Sequence, residues 1–311
     1  MENTIKGIHH ITAIAGNAQK NYDFYTRVLG LRMVKKTVNF DDPDTYHLYY
    51  GDKNGTPGSV LTFFPWGQIA AGRRGARQAT EIGYSVPEGS FDFWLKRFEA
   101  NNIIYNKVAE KFGEPYLTVL DPDGLKLELI AAKTKDARLP WETEEVKAEN
   151  ATKGFHNITI TTNKMQPTAD ILTGVFGYRL LEQQVNRFRF ITDAVDNANI
   201  VDLVEVAGEV AGHTAGGSVH HVAFRVANEE ILMAYRDKIA ALGLHITEKI
   251  DRNYFYSLYF REPGGVLFEL ATDNPGFAVD EPVDELGSHL MLPAQYEQYR
   301  ADLEKSLPKL V

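Results

Sequence analysis

The sequence predicts a mixed α+β fold made of four βαβββ modules arranged in two pairs. Three observations predict it: a short strand-like segment that recurs four times, an amphipathic helix after each copy, and matching turn-and-strand segments at the ends of the second and fourth copies. The strand-like segments lie at 7–15, 79–86, 154–162 and 218–226. Their side chains alternate in character, as in strands with one buried face.

A helix is predicted after each strand, because apolar side chains recur at three- and four-residue spacing. They are Tyr22, Tyr25, Val28 and Leu29 in the first helix, Phe91, Trp94, Leu95 and Phe98 in the second, Ile171, Leu172, Val175 and Phe176 in the third, and Ile231, Leu232, Tyr235, Ile239 and Leu242 in the fourth. Gly30, Gly177 and Gly243 end three of them, in the left-handed position that follows many helices, and Asn101 or Asn102 takes this place in the second.

About three further strands are expected after each helix. The segments DPDGLKLELIA and EPGGVLFELA correspond, and their Pro-x-Gly turns predict hairpins that place Glu128 and Glu269 at matched positions. The chain is therefore divided into a domain at 1–132, a polar linker at 133–153 and a domain at 154–272. The tail at 273–311 is expected to end in a helix.

The composition excludes several classes of function. The 311 residues include no cysteine, which excludes disulfides, a thiolate nucleophile and cysteine-bound metals. The net charge is −9 without a basic block, so neither nucleic acid nor an anionic membrane is an expected partner. The sequence contains no run of about 18 apolar residues, so no membrane span is predicted. The N-terminal segment does not resemble a signal peptide, and the expected location is the cytoplasm.

Two His-His pairs stand at the same place in the first and fourth repeats. Because neighbouring side chains of a strand face opposite ways, the two members of each pair are expected on different faces. His9 and His220 share a face with apolar side chains and are predicted to pack towards the helices. His10 and His221 share a face with small and polar residues, which predicts that they line a cavity.

Glu269 completes a candidate metal site with His10 and His221. It lies in the apolar segment GGVLFEL, where a buried carboxylate is costly unless it is paired or bound to a metal. Two imidazoles and one carboxylate form the set that is typical of non-haem Fe(II) oxygen chemistry.

Other candidates fit this pattern less well. Glu128 has no accompanying histidine and is interpreted as a structural or solvated remnant, and strand alternation disfavours a site formed by His156 and Asp202 with the fourth module. The connector at 63–78 carries Phe63, Phe64, Trp66 and three arginines; it either covers a pocket or links modules with a solvated basic face, and we favour the link. His47, His213, His245 and His289 are interpreted as surface or supporting residues.

These features resemble the glyoxalase/bleomycin-resistance/extradiol-dioxygenase superfamily, also called vicinal oxygen chelate proteins. The run LYFREPGGVLFE at 258–269 is similar to the extradiol dioxygenase signature, in which a tyrosine and an acid-proline turn precede the metal-binding glutamate. Arg252 stands where catechol-cleaving members carry a catalytic histidine. GIHHIT, LGLRMVKKTVNFDDPDTYHLYYGD, GTPGSVLTFFPW and DELG look instead like ring-cleaving dioxygenases that act on hydroquinones.

The resemblance implies two paired glyoxalase-like domains and an Fe(II)-dependent dioxygenase that opens a para-dihydroxy aromatic ring. Its role would be aromatic catabolism or detoxification of quinones and hydroquinones. By resemblance, the metal lies between modules one and four on His10, His221 and Glu269, a ligand set that also suits Mn(II). A small aromatic substrate and O2 are the expected partners, and homo-oligomer formation is left open.

Four further residues receive roles in this hypothesis. Arg252 is expected to anchor a substrate oxygen or stabilise negative charge, and Tyr259 to donate a hydrogen bond and shuttle a proton. His9 and His220 are expected either to pack or to orient the ligand histidines from behind.

Two other functions compete with this one. A glyoxalase-type isomerase or lyase would use Zn(II) or Ni(II), but such enzymes usually draw two carboxylates into the site, and Thr62 stands at the first-module counterpart of Glu269. A non-catalytic protein that sequesters aromatic compounds or drugs would need a pocket and no metal ligands, because one fold supports many functions.

Overall fold

The computed structural model describes residues 4–134 and 136–311. In these residues the strands form two curled eight-stranded sheets, and the helices pack against the strands. Modules one and two have the predicted order of strand, helix and three strands. Module one comprises β1 (Ile8–Ala15), α1 (Ala18–Asp23, continued by a π-helical turn at Phe24–Val28), β2 (Arg32–Asn39), β3 (Asp42–Gly51) and β4 (Val60–Pro65). Module two comprises β5 (Gln78–Val86), α2 (Phe91–Ala100), β6 (Ala109–Lys111), β7 (Glu114–Leu120) and β8 (Lys126–Ala131).

Modules three and four repeat this order, so the predicted α+β class and fourfold repeat are confirmed. Module three comprises β9 (Phe155–Thr162), α3 (Gln166–Asp170, continued by a π-helical turn at Ile171–Val175), β10 (Arg179–Gln184), β11 (Arg187–Ile191) and β12 (Ile200–Glu205). Module four comprises β13 (Ser218–Val226), α4 (Glu229–Ala240), β14 (Ile250–Asp251), β15 (Phe255–Arg261) and β16 (Leu267–Pro275).

Each sheet joins two modules from opposite halves of the chain. One sheet has the order β14-β15-β16-β13-β1-β4-β3-β2, and the other has the order β10-β11-β12-β9-β5-β8-β7-β6. The antiparallel pair β1–β13 therefore connects module one to module four, and β5–β9 connects module two to module three. This pairing brings the two His-His pairs onto neighbouring strands. The domain bounds 1–132 and 154–272 stay a prediction.

The predicted helix ends are present. Gly30, Gly177 and Gly243 have φ values of 70°, 78° and 76°, and Asn102 has a φ of 54°. Glycine adopts this left-handed backbone readily, and asparagine adopts it more readily than most other residues. These residue types therefore recur at the helix ends of the repeat. The π-helical turns that continue α1 and α3 carry the same apolar spacing and were not predicted.

The tail packs against module one. It contains short 3₁₀ helices at Phe277–Val279, Val283–Glu285 and Ala294–Tyr299, followed by α5 (Arg300–Ser306), which confirms the predicted terminal helix. Lys36 on the edge strand β2 forms a bridge to Leu290, so the tail covers part of an otherwise open sheet edge. In the described part of the chain, no helix has the length and apolar character needed to cross a membrane.

A buried carboxylate links the π-helical turn after α1 to the β7–β8 turn. Tyr25 donates a hydrogen bond of 3.0 Å to Asp121, whose other oxygen accepts from the backbone N–H groups of Asp123 and Leu125. Burial nevertheless raises the pKa of Asp121 to about 7. Since an unfolded aspartate titrates near pH ~3.9, this group costs the folded state stability as the pH rises from about 4 to about 7.

Replacing Asp121 by asparagine is expected to remove this cost. As the pH rises from 5 to 8, the unfolding free energy of the variant should increase by about 2 kcal/mol relative to that of the natural protein. Urea unfolding at both pH values measures the difference. Asp237→Asn, at an exposed position of α4, is the control and should show no comparable change. An equal pH response of Asp121→Asn and the natural protein would contradict the expectation.

Candidate metal centre

Two β-bulges lie where β1 meets β13, one at each His-His pair. His9 has no opposite residue on β13, and His220 has none on β1. A bulge sets two residues opposite one and redirects their side chains, which occurs often beside active sites. The predicted packing of His9 and His220 towards the helices is therefore wrong. His220 lines a cavity, and the His9 ring lies against His10 and Phe255.

His10, His221 and Glu269 converge at the floor of this cavity. Nε2 of His221 lies 2.9 Å from Oε2 of Glu269, and Nε2 of His10 lies 3.3 Å from the same oxygen. One ligand atom from each residue lies within 4.8 Å of the others. The three residues are 2%, 5% and 0% exposed, respectively. Adjacent strands supply them, because β16 pairs with β13 and β13 pairs with β1.

The polar atoms of this cluster fit a metal ion. His221 Nε2 and Glu269 Oε2 are buried without a hydrogen-bond partner, although they lie 2.9 Å apart. Leaving such atoms unsatisfied is costly, and a shared divalent cation would satisfy both. The second carboxylate oxygen of Glu269 accepts a hydrogen bond from Ser257, which fixes the direction of Oε2.

The protonation states also suit metal binding, which requires neutral imidazoles and an ionised carboxylate. Burial lowers the pKa of His221 below its usual value. Burial alone would raise the pKa of Glu269, but the adjacent His10 and His221 hold it well below the usual range.

Each candidate ligand histidine is held from behind by the histidine before it. His10 Nδ1 lies 3.0 Å from His9 Nδ1, and His221 Nδ1 lies 2.8 Å from His220 Nδ1. His9 Nε2 donates to the carbonyl of Thr272 at 3.1 Å. A neutral His9 must then accept at Nδ1, so His10 donates from Nδ1 and keeps the lone pair of Nε2 free for a metal.

A cavity of about 350 Å³ opens above the three residues, which is room for one substituted aromatic ring. Its apolar wall is formed by Phe40, Phe64, Trp66, Phe255 and Leu267, and its polar wall by Asn39, Asp41, His47, Tyr49, His220, Arg252 and Tyr259. The aromatic side chains offer flat surfaces to a planar ligand, whereas the polar groups converge on its oxygens.

Arg252 and Tyr259 stand together on the module-four side of the cavity. The guanidinium of Arg252 lies 5.4 Å above the Tyr259 ring and 3.3 Å from the carboxylate of Asp41. The Tyr259 ring lies 5.6 Å from that of His221. Burial raises the pKa of Tyr259 above its usual value, so its hydroxyl stays protonated and can donate. The structure therefore brings both side chains to the place where a ligand of the metal would lie.

Both halves of the chain match the same family model, that of the Glyoxalase/Bleomycin resistance protein/Dioxygenase superfamily, at residues 7–129 and 154–270. The chain belongs to this superfamily. It is 44% identical over 301 residues to MhqO of Bacillus subtilis (strain 168), named provisionally as a ring-cleaving dioxygenase, with 97% of this chain and 95% of the relative covered.

Two further comparisons agree with this membership. Chlorohydroquinone/hydroquinone 1,2-dioxygenase of Sphingobium indicum is 33% identical over 309 residues, with 97% of this chain and 96% of the relative covered. A crystal structure of a protein from Bacillus subtilis, named provisionally as a dioxygenase, superposes with a TM-score of 0.95 at 43% identity, covering 99% of this chain and 98% of the other. The chain thus resembles ring-cleaving members of the superfamily over nearly its whole length.

The cavity of this superfamily member includes residues that sequence reasoning missed. His47 was interpreted as a surface or supporting residue, but it lines the cavity together with Tyr49. In the connector at 63–78, Phe64 and Trp66 also line the cavity, so the preference for a simple link was wrong for these aromatics. The arginines Arg73, Arg74 and Arg77 are exposed, as the link predicts. The alternation of TYHLYY in β3 is the signal that places His47 and Tyr49 on one face.

The second sheet corrects two other interpretations. Glu128 is 1% exposed and forms an ion pair with Lys111, so the structural alternative holds and the solvated one is wrong. His156 Nε2 lies 3.1 Å from Glu114, and Asp202 forms an ion pair with Arg189 at 2.9 Å. Both residues belong to the second sheet and do not approach the candidate metal centre.

Proposed function

We propose that this protein is an Fe(II)-dependent ring-cleaving dioxygenase that inserts O2 into a hydroquinone-type aromatic. The observation that carries the proposal is the buried cluster of two histidines and one carboxylate below a cavity of single-ring size. This ligand set leaves coordination positions free for substrate and O2. The relative named chlorohydroquinone/hydroquinone 1,2-dioxygenase supports the substrate class.

His10, His221 and Glu269 would hold the metal, which would bring substrate and O2 together and carry electron density between them. Fe(II) is our choice, and Mn(II) suits the same donors. His9 and His220 hold the two imidazoles with Nε2 towards Glu269. The aromatic wall confines the ring and excludes water from it.

The polar wall acts on the oxygens of the substrate. Arg252 places a positive charge beside the cavity and would stabilise negative charge that develops on a substrate oxygen. Tyr259, which stays protonated, would donate a hydrogen bond and pass a proton to the opening ring. The biological role that we propose is aromatic catabolism or detoxification of quinones and hydroquinones. We propose a cytoplasmic location, as the sequence predicts. The sequence leaves homo-oligomer formation open.

A glyoxalase-type isomerase with Zn(II) or Ni(II) is the second candidate. Thr62 argues against it, because this hydroxyl occupies the place where a second carboxylate would stand and is engaged by Thr12 and His47 at 2.8 Å each. A sequestering protein is the third candidate, but it gives no reason to bury two unpartnered ligand atoms.

Oxygen consumption separates these functions. Protein loaded anaerobically with Fe(II) is offered hydroquinone, methylhydroquinone and catechol in turn, and O2 uptake is recorded. We expect rapid uptake with a hydroquinone and none with the Zn(II)-loaded protein. Uptake with catechol alone would contradict the assigned substrate class. Absence of uptake from all three, with one metal bound, would favour the isomerase.

Replacing Arg252 by glutamine is expected to lower kcat/KM for hydroquinone about a hundredfold, because the positive charge beside the substrate oxygen is lost. The metal content should stay unchanged, since Arg252 contacts Asp41 and Tyr259 and is not within the ligand cluster. Steady-state O2 uptake and metal analysis measure the two effects. Arg179→Gln, at an exposed position of β10, is the matched control. Unchanged kcat/KM in Arg252→Gln would remove Arg252 from the mechanism.

A further inference from the structure

Thr62 occupies the module-one position that corresponds to Glu269. In module four, Glu269 on β16 lies opposite Ala223 on β13, two residues after His221. In module one, Thr62 on β4 lies opposite Thr12 on β1, two residues after His10. The two halves of the site are therefore related position by position. On the module-one side, a neutral hydroxyl stands where module four presents a carboxylate.

Thr62 belongs to a continuous hydrogen-bonded chain of four side chains. Its Oγ1 lies 2.8 Å from Thr12 Oγ1 and 2.8 Å from His47 Nε2, and Tyr49 Oη lies 2.8 Å from His47 Nδ1. Each hydroxyl can both donate and accept, and a neutral imidazole has one donor and one acceptor nitrogen. The chain can thus run in either direction, and its Tyr49 end can offer a lone pair or a proton.

The His47–Tyr49 end of this chain lines the cavity above the candidate metal centre. His47 and Tyr49 line the cavity, whereas Thr12 and Thr62 lie beneath them and are fully buried. Burial lowers the pKa of His47 well below its usual value and raises that of Tyr49 well above it, so both side chains stay neutral. The Tyr49 ring is fixed by contacts with Tyr254 and Phe277, at 6.2 and 5.3 Å between ring centres.

We propose that Tyr49, oriented by His47, hydrogen-bonds the aromatic hydroxyl oxygen that occupies the Thr62 side of the candidate metal centre. This inference deepens the proposed function and rests on it. In the described residues no carboxylate or histidine joins the ligand cluster from that side. A substrate oxygen placed there lies beside the Tyr49 hydroxyl, which can accept a hydrogen bond from it or donate one to it once it is ionised. Tyr49 is thereby a specificity-determining residue for hydroxylated rings, and His47 is the residue that positions it.

The test is anaerobic binding of hydroquinone to the Fe(II)-loaded protein, measured by calorimetry. Tyr49→Phe is expected to weaken binding about tenfold, the effect of losing one hydrogen bond to a buried oxygen. His47→Leu is expected to weaken binding less, because the Tyr49 hydroxyl remains and loses only the partner that fixes its direction. His47→Gln, which keeps a donor and an acceptor, should recover part of the loss. The bound metal, measured by elemental analysis, should stay at the natural level in all three variants.

Tyr50→Phe is the matched control. It removes a buried tyrosine hydroxyl from the same strand, but that hydroxyl donates to Asn21 on the helix side, away from the cavity. Its hydroquinone affinity should equal that of the natural protein. Unchanged affinity in Tyr49→Phe and His47→Leu would overturn the inference, as would losses that follow loss of metal.

Oxygen uptake by the natural protein is recorded in parallel, so that the two proposals fail separately. Uptake by the natural protein together with unchanged binding in the variants refutes only the role of His47 and Tyr49. Weakened binding in the variants without any uptake by the natural protein refutes the dioxygenase and keeps the binding role.

Discussion

Glu269→Gln is expected to abolish oxygen uptake and to lower the metal affinity at least about a hundredfold. Replacing a residue that only supports a metal ligand already lowers metal affinity about 10–100-fold, and Glu269 is itself a candidate ligand. The amide has no charge to offset that of a divalent cation. Its NH2 group can also donate to His221 Nε2, which lies 2.9 Å from the replaced oxygen. The variant can therefore satisfy the polar atoms that are unpartnered in the natural protein, and it should fold without metal.

Thermal unfolding with and without metal measures this loss. Binding of a metal to the folded state alone raises Tm, and the rise increases with the logarithm of the affinity, so the natural protein should be stabilised much more than Glu269→Gln. Asp273→Asn is the control. Asp273 lies on the same strand as Glu269, but its carboxylate forms an ion pair with Arg225 and does not line the cavity. A Glu269→Gln protein that binds metal and consumes O2 like the natural one would refute the candidate metal centre.

The repeat explains why the sequence predicted much of this site. His10, His221 and Glu269 stand at fixed offsets from strand starts and turns, and those offsets are local properties of the chain. The fold class, the helix ends and the terminal helix follow from the same kind of local information. The resemblance then supplied the placement of a metal between modules one and four.

The errors come from interactions between distant segments. Whether His9 faces the helices depends on a bulge in the β1–β13 ladder, and strand alternation assumes that no bulge is present. The position of His47 in the cavity depends on the curl of a sheet whose outer strands come from different modules. The burial of Glu128 depends on its ion pair with Lys111, which lies on the hairpin formed by β6 and β7. The metal-ligand pattern consists of histidines and carboxylates only, so it gives no indication of this lysine.

The second sheet carries an ammonium group at the position that corresponds to the candidate metal centre. Glu128 lies opposite Gly83, two residues after Glu81, just as Glu269 lies opposite Ala223, two residues after His221. Lys111 Nζ forms an ion pair with Glu128 and lies 4.0 Å from Glu81. A lysine thus neutralises the buried carboxylate of Glu128 where the first sheet offers ligands for a metal.

Lys111→Met is expected to destabilise the protein by about 3–5 kcal/mol, the usual cost of leaving a buried carboxylate without its partner. Methionine has a similar length, so the loss reflects charge more than volume. The double variant Lys111→Met with Glu128→Leu should recover most of the stability, because it removes both charges and keeps an apolar interior. Urea unfolding of the natural protein, the two single variants Lys111→Met and Glu128→Leu, and the double variant measures this cycle.

The candidate metal centre provides the internal control for this experiment, because it lies in the other sheet. Lys111→Met should keep the natural metal content and oxygen uptake under conditions where the protein is folded. A matched variant, Lys249→Met, removes an exposed ion pair with Glu229 and should change stability little, as surface pairs usually do. If Lys111→Met were as stable as Lys249→Met, Glu128 would need another source of neutralisation, and the proposed correspondence between ammonium and metal would fail.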